Sequence, residues 1–236
     1  MNKTSRSSPP SQPQFVLTWQ LFALGLDACT EELCLLEEYL SMTDAFLTRK
    51  RCEFEVTYRD VLNDHAFHDA MDDDISQLWT GFPTTLLNTT FVAACACIEG
   101  SAAILCKRFD SESALQKTLA WQDTKDQGVK RSAAFLKENF QLHLADHSMW
   151  SSLSDFGEIR NCIVHAASDM NQMKKPQQLR QAVHRQAVHG VSIDQHGHLA
   201  VTATLVKHTL KGMLNFWEAL HVALRDNAVV GPHYWP

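Results

Sequence analysis

Between Phe82 and Cys106 the chain runs for 25 residues with one charged side chain, Glu99. A stretch so apolar has two settings open to it: a lipid bilayer, or the centre of a helical core. Asn88, several threonines and Glu99 interrupt it. A carboxylate near the middle of a span is costly in lipid. The expectation is therefore a central helix over about 84–109, covered on several sides by other elements. Nine glycines and seven prolines in 236 residues are few breakers, which favours helices over a turn-rich β-sandwich.

The neighbours of that helix can be read from periodicity. Trp19, Phe22, Leu26, Leu33, Leu36 and Leu40 recur at three-, four- and seven-residue steps, which predicts a long helix over about 17–50. Residues 51–82 show no such period and are expected to be irregular. A Ser/Glu-rich break at 110–113 precedes a short helix at 127–140, one at 149–170 and a basic segment at 176–188. Val191-Ser192-Ile193-Asp194 alternates apolar and polar, and His198 to Thr202 alternates back across Gln195-His196-Gly197. This predicts a small β-hairpin. Val206, Leu210, Met213, Trp217, Leu220 and Leu224 mark the buried stripe of a last helix over 203–226. The fold expected is one all-α domain over 15–230 with a hairpin before the last helix. A Pro/Ser-rich leader, 1–14, and an aromatic tail, 231–236, flank it.

Composition narrows the function. The 21 basic against 27 acidic side chains give a net charge of −6, which excludes a uniformly basic nucleic-acid coat but not a local basic patch. Seven cysteines, an odd number set mostly in helical segments, read as reduced thiols in a cytoplasm. Cys95 and Cys97 lie about 200° apart on a helix and cannot share a metal ion without a break in it. Asp60, Asp64, Asp69, Asp72, Asp73 and Asp74 surround His65 and His68 at no ligand spacing, which predicts a solvated acidic loop. No metal, cofactor or membrane span is expected.

The segment with chemistry in it is Phe156-Gly157-Glu158-Ile159-Arg160-Asn161-Cys162-Ile163-Val164-His165. Met149, Phe156, Ile163 and Met170 fall seven apart and suggest a core stripe. At 100° per residue Arg160 lies about 40° from that stripe, Asn161 about 140° and His165 about 200°. Asn161 and His165 then share the face away from the core, with Arg160 on the flank. An imidazole acts as acid or base near neutral pH. A guanidinium grips phosphate oxygens in a fork, and a carboxamide orients either. The trio suits phosphodiester cleavage without metal, through a ribose 2′-hydroxyl. One helix supplies one histidine, so a second copy of the chain would supply the acid.

Arg160-Asn161-x-x-x-His165 resembles the signature of the HEPN superfamily (higher eukaryotes and prokaryotes nucleotide-binding): Arg, a polar residue often Asn, three to five others, then His. Glu99 on the preceding apolar helix, Trp150, the hairpin and the last amphipathic helix also look like standalone bacterial HEPN proteins. The resemblance covers about 84–226, and its specific part is the six-residue motif. It implies an all-α homodimer and a metal-independent endoribonuclease whose active site joins two motifs, acting as a toxin or in phage defence. Arg160 would bind phosphate, Asn161 position the groups and His165 act as acid and base, with Glu99 in support. A toxin of this kind implies an antitoxin as partner. Ala167 stands where HEPN toxins controlled by nucleotidyl transfer carry a Tyr, which argues against that control. Lys174, Lys175, Arg180 and Arg185, in a stretch without acids, would cradle the RNA backbone.

A competing reading is a non-catalytic helical module for dimerisation, nucleotide or partner binding. Arg160 would then pair with Glu99 and fix two helices together.

Overall fold

In the computed structural model the described residues are 19–61, 65–111, 118–144 and 147–226. The expected leader and the expected aromatic tail lie outside them. The helices are α1 (Trp19–Thr57), α2 (His65–Ser76), α3 (Phe82–Ser111), α4 (Gly128–Phe140), α5 (Trp150–Ala166), α6 (Pro176–Gln186) and α7 (Ala203–Asp226). A two-stranded antiparallel hairpin, β1 (Val191–Ile193) and β2 (Leu199–Val201), precedes α7.

The apolar helix α3 is the hub, with α1, α4, α5 and α7 packed on it. Phe91, Ala94, Ile98, Cys106 and Phe109 on α3 are buried. Phe91 meets Phe156 of α5 edge to face, with centroids 5.8 Å apart. Burying side chains of this size stabilises by about 2 kcal/mol each. The α7 stripe behaves as its period predicts: Val206, Leu210, Met213, Trp217, Leu220 and Leu224 are all buried. On α1 the inward residues are Cys29, Leu33, Leu40 and Leu47.

The segment 51–82 departs from expectation. It is largely helical: α1 continues to Thr57, α2 follows, and a π-helical turn over Gln77–Gly81 leads into α3. Asp72, Asp73 and Asp74 are exposed on α2 rather than in a loop. The cause is tertiary. Phe54 packs against Tyr58 and, edge to face, against Trp79, and Tyr58 against Phe67, with centroids 4.7 to 5.4 Å apart. Arg51 Nε donates to the Leu78 carbonyl at 3.1 Å. These aromatics are too widely spaced in sequence to show a period.

The hairpin pairs Val191 with Val201 and Ile193 with Leu199. Asp194 Oδ1 accepts from the backbone N–H of His196 and His198 at 2.8 and 2.9 Å and closes the turn. Gly197 adopts φ +91°, and a Cβ there would run into the Asn171 side-chain amide.

Candidate functional site

The buried side of α5 is formed by Leu153, Asp155, Phe156, Ile159, Cys162 and Ala166. It centres near Ile159, not on the expected seven-residue stripe. Ile163 is half-buried, and Met170 lies past the end of the helix. From Ile159, Arg160 is about 100° away, His165 about 120° and Asn161 about 160°. The rotation moves Arg160 further from the core and leaves the other two facing outward.

The helix stops directly after the motif. Ala167 and Ser168 both take positive φ, 48° and 66°, and both N–H groups converge on the Cys162 carbonyl. Such left-handed geometry disfavours side chains with a Cβ by about 1–2 kcal/mol per residue. What holds it is the hairpin. Leu199 N–H donates to the Ser168 carbonyl at 2.8 Å, and Met170 N–H to the Gly197 carbonyl at 2.9 Å. The chain is thereby turned back, and Pro176 at the first position of α6 starts the next helix.

A cleft of about 870 Å³ opens between these elements. Arg160, Asn161 and His165 line it from α5, Glu99 from α3, Lys130 from α4, and Lys174 and Lys175 from the segment just before α6. Arg160 and Asn161 are half-buried and His165 is exposed. Against four permanent cations stand two carboxylates, Glu99 and Glu158, so the lining is net positive by two on a chain of net charge −6. The first turns of α4 and α6 both border it, and their helix dipoles add partial positive charge.

Arg160 Nη2 donates to Glu99 Oε2 at 2.6 Å, with both side chains about one-quarter exposed. Glu99 also lies against Gly128 at the head of α4. Gly128 takes φ +56°, and a Cβ there would sit 3.2 Å from Glu99 Oε1. The carboxylate thus fixes the guanidinium on one side and faces the positive end of α4 on the other.

The four basic residues expected to hold RNA are divided. Lys174 and Lys175 line the cleft. Arg180 is exposed on α6, outside the lining. Arg185 is taken up by Asp155: its Nε lies 3.0–3.1 Å from both carboxylate oxygens and its Nη2 2.6 Å from Oδ1. Asp155 is 2% exposed, and Gln186 Nε2 donates to it at 2.9 Å. The pairing follows from geometry. A helical face must bury part of its residues, and a buried carboxylate requires a partner.

Sequence reasoning missed Lys130, Glu158 and Asp155. For Lys130 a signal existed: a Gln-Gly pair followed by a basic residue in the first turn of a short helix. For Asp155 none did, since its partners are 30 and 31 residues away.

The two halves of Cys95-x-Cys97 face different neighbours. Cys97 Sγ lies 3.6 Å from Cys29 Sγ of α1. Burial, together with the nearby Glu99 carboxylate, drives the Cys95 thiol far above its ordinary range. All seven cysteines are free, five of them buried. No protein-family model, curated protein or solved structure matches the chain.

Proposed function

We propose that this chain is a metal-independent endoribonuclease of HEPN type that cleaves RNA at the Arg160/Asn161/His165 cleft. One observation carries the reading: the motif's outward face is open and shares a positively charged cleft with Lys130, Lys174 and Lys175. Cation-lined grooves of this kind track a phosphate backbone.

In this reading the lysines hold the strand. Arg160 carries charge on the phosphate that is attacked. His165 takes the proton from the ribose 2′-hydroxyl, whose oxygen then attacks phosphorus. The 5′-oxygen leaves and is protonated by His165 of a second copy. The products are a 2′,3′-cyclic phosphate and a 5′-hydroxyl end, and no electrons are exchanged. Asn161, one turn before His165, orients the imidazole or the phosphate. Acid–base catalysis of this kind contributes about 10²–10⁴-fold per group. The free thiols fit a reducing cytoplasm, and a toxin or phage-defence role with an antitoxin partner belongs to the same proposal.

The test compares growth arrest on expression of wild type and His165→Ala. Cleavage of single-stranded and structured RNA by purified protein in excess chelator accompanies it. Loss of both arrest and cleavage in His165→Ala, with the fold retained by circular dichroism, supports the proposal. A wild-type protein inert toward RNA overturns it.

The Arg160–Glu99 pair favours a second reading, a non-catalytic module in which the guanidinium is a structural tie. There Arg160→Ala lowers stability, while His165→Ala changes nothing measurable.

A further inference from the structure

Leu35, Tyr39, Met42 and Phe46 on α1 are 62%, 53%, 73% and 47% exposed. Their spacing of four, three and four residues places them in one stripe. That stripe lies about 130° around the helix from the buried face of Leu33, Leu40 and Leu47. Single exposed apolar residues are ordinary, but four in register along a helix form a seam that no described residue covers.

The seam is flanked by charge, and the sign changes along it. Glu31 and Glu32 stand at its N-terminal end, Arg49 and Lys50 at its C-terminal end. Arg49 and Lys50 lie 5.6 and 5.9 Å from the Phe46 ring centroid and share one carboxylate, Glu53. Glu31 and Glu32 have no lysine or arginine in ion-pair range among the described residues.

We propose that this seam is a contact between two copies of the chain, with the α1 helices antiparallel about a twofold axis between Leu40 and Ser41. The pattern is self-complementary about that point. Leu35 falls opposite Phe46 of the other copy, and Tyr39 opposite Met42. On the flanks Glu31 meets Arg49 and Glu32 meets Lys50. A parallel arrangement would set acid against acid and base against base. Apolar residues at the seam and opposite charges beside it are the two features by which paired helices choose partner and orientation. Because the contact is isologous, it closes on itself as a pair.

The contact is distinct from the one in the proposed function. Helix α1 packs on α3 and α7 and supplies nothing to the lining of the cleft. The seam contact therefore stands or falls whatever the cleft does, and the test reads mass rather than activity.

Light scattering after gel filtration, over about 1–100 μM, gives the assembly mass of the full chain. Met42→Glu is expected to halve that mass with the helical signal unchanged, since the side chain is exposed. E31K/E32K alone and R49E/K50E alone are each expected to weaken association about tenfold. Mixing the two variants restores it, because each reversed end then meets its opposite. A wild type that is monomeric throughout overturns the proposal. So does a mass insensitive to Met42→Glu, or a mixture that associates no better than its parts.

Discussion

Arg160 and Glu99 meet at 2.6 Å across α5 and α3, on the wall of the cleft that His165 also lines. The pair ties the motif to the hub helix and at the same time holds one arm of the guanidinium away from any phosphate. Under the proposed ribonuclease reading, Glu99 and an RNA phosphate would compete for the same cation.

Glu99→Gln follows from that competition. Removing the carboxylate's charge is expected to tighten RNA binding about threefold to tenfold, measured by fluorescence anisotropy. Stability should fall by about 1 kcal/mol, the scale of a partly exposed ion pair. Unchanged RNA affinity would show that Arg160 takes no part in binding.

The lysines are expected to act through the backbone rather than through sequence. Lys130→Ala, Lys174→Ala and Lys175→Ala combined should weaken binding to all single strands alike. The salt dependence should become shallower by about 0.7 per lost contact in a log–log plot. Arg180→Ala, outside the cleft lining, should leave both quantities unchanged.

Asp155 is structural, and its removal should show in denaturation rather than in activity. Arg185→Ala removes the cation from a buried carboxylate and leaves it the Gln186 amide, a change that costs about 2–3 kcal/mol. A shift in the urea midpoint with an unchanged slope would confirm it. Asp155→Ala should destabilise comparably, through loss of its bonds from Arg185 and Gln186.

A stacked histidine pair sets a pH dependence. The rings of His189 and His208 lie 3.5 Å apart and nearly parallel. Burial, and then the neighbouring His189, hold His208 below its usual 6.5. The unfolded chain therefore takes up this proton first as pH falls. Stability is fully present above about pH 7, declines as pH drops through 6.5, and levels off below the lowered value. Thermal melts between pH 8 and 5 should show that decline. His208→Gln should reduce the slope without abolishing it, because His221 is lowered in the same direction.

Periodicity and spacing carried much of this in the chain itself. The run from Phe91 to Cys106, with Glu99 as its single charge, determined that α3 would be the hub, because a helix so apolar is stable in a helical fold only when other elements cover it. The four-residue step from Asn161 to His165 determined that the two would share a face, because helical geometry is local. The i, i+3, i+4 pattern of α7 determined which of its residues would be buried. Tertiary structure alone decided what the motif would meet. Glu99 reaches Arg160 across 61 residues, Lys130 arrives from a separate helix, and Arg185 is drawn to Asp155. The helical segment over 65–81 likewise forms on an aromatic cluster gathered from Phe54, Tyr58, Phe67 and Trp79. Pairings of this kind depend on how helices cross, and crossing is set by the sum of many weak packing contacts that no short spacing encodes.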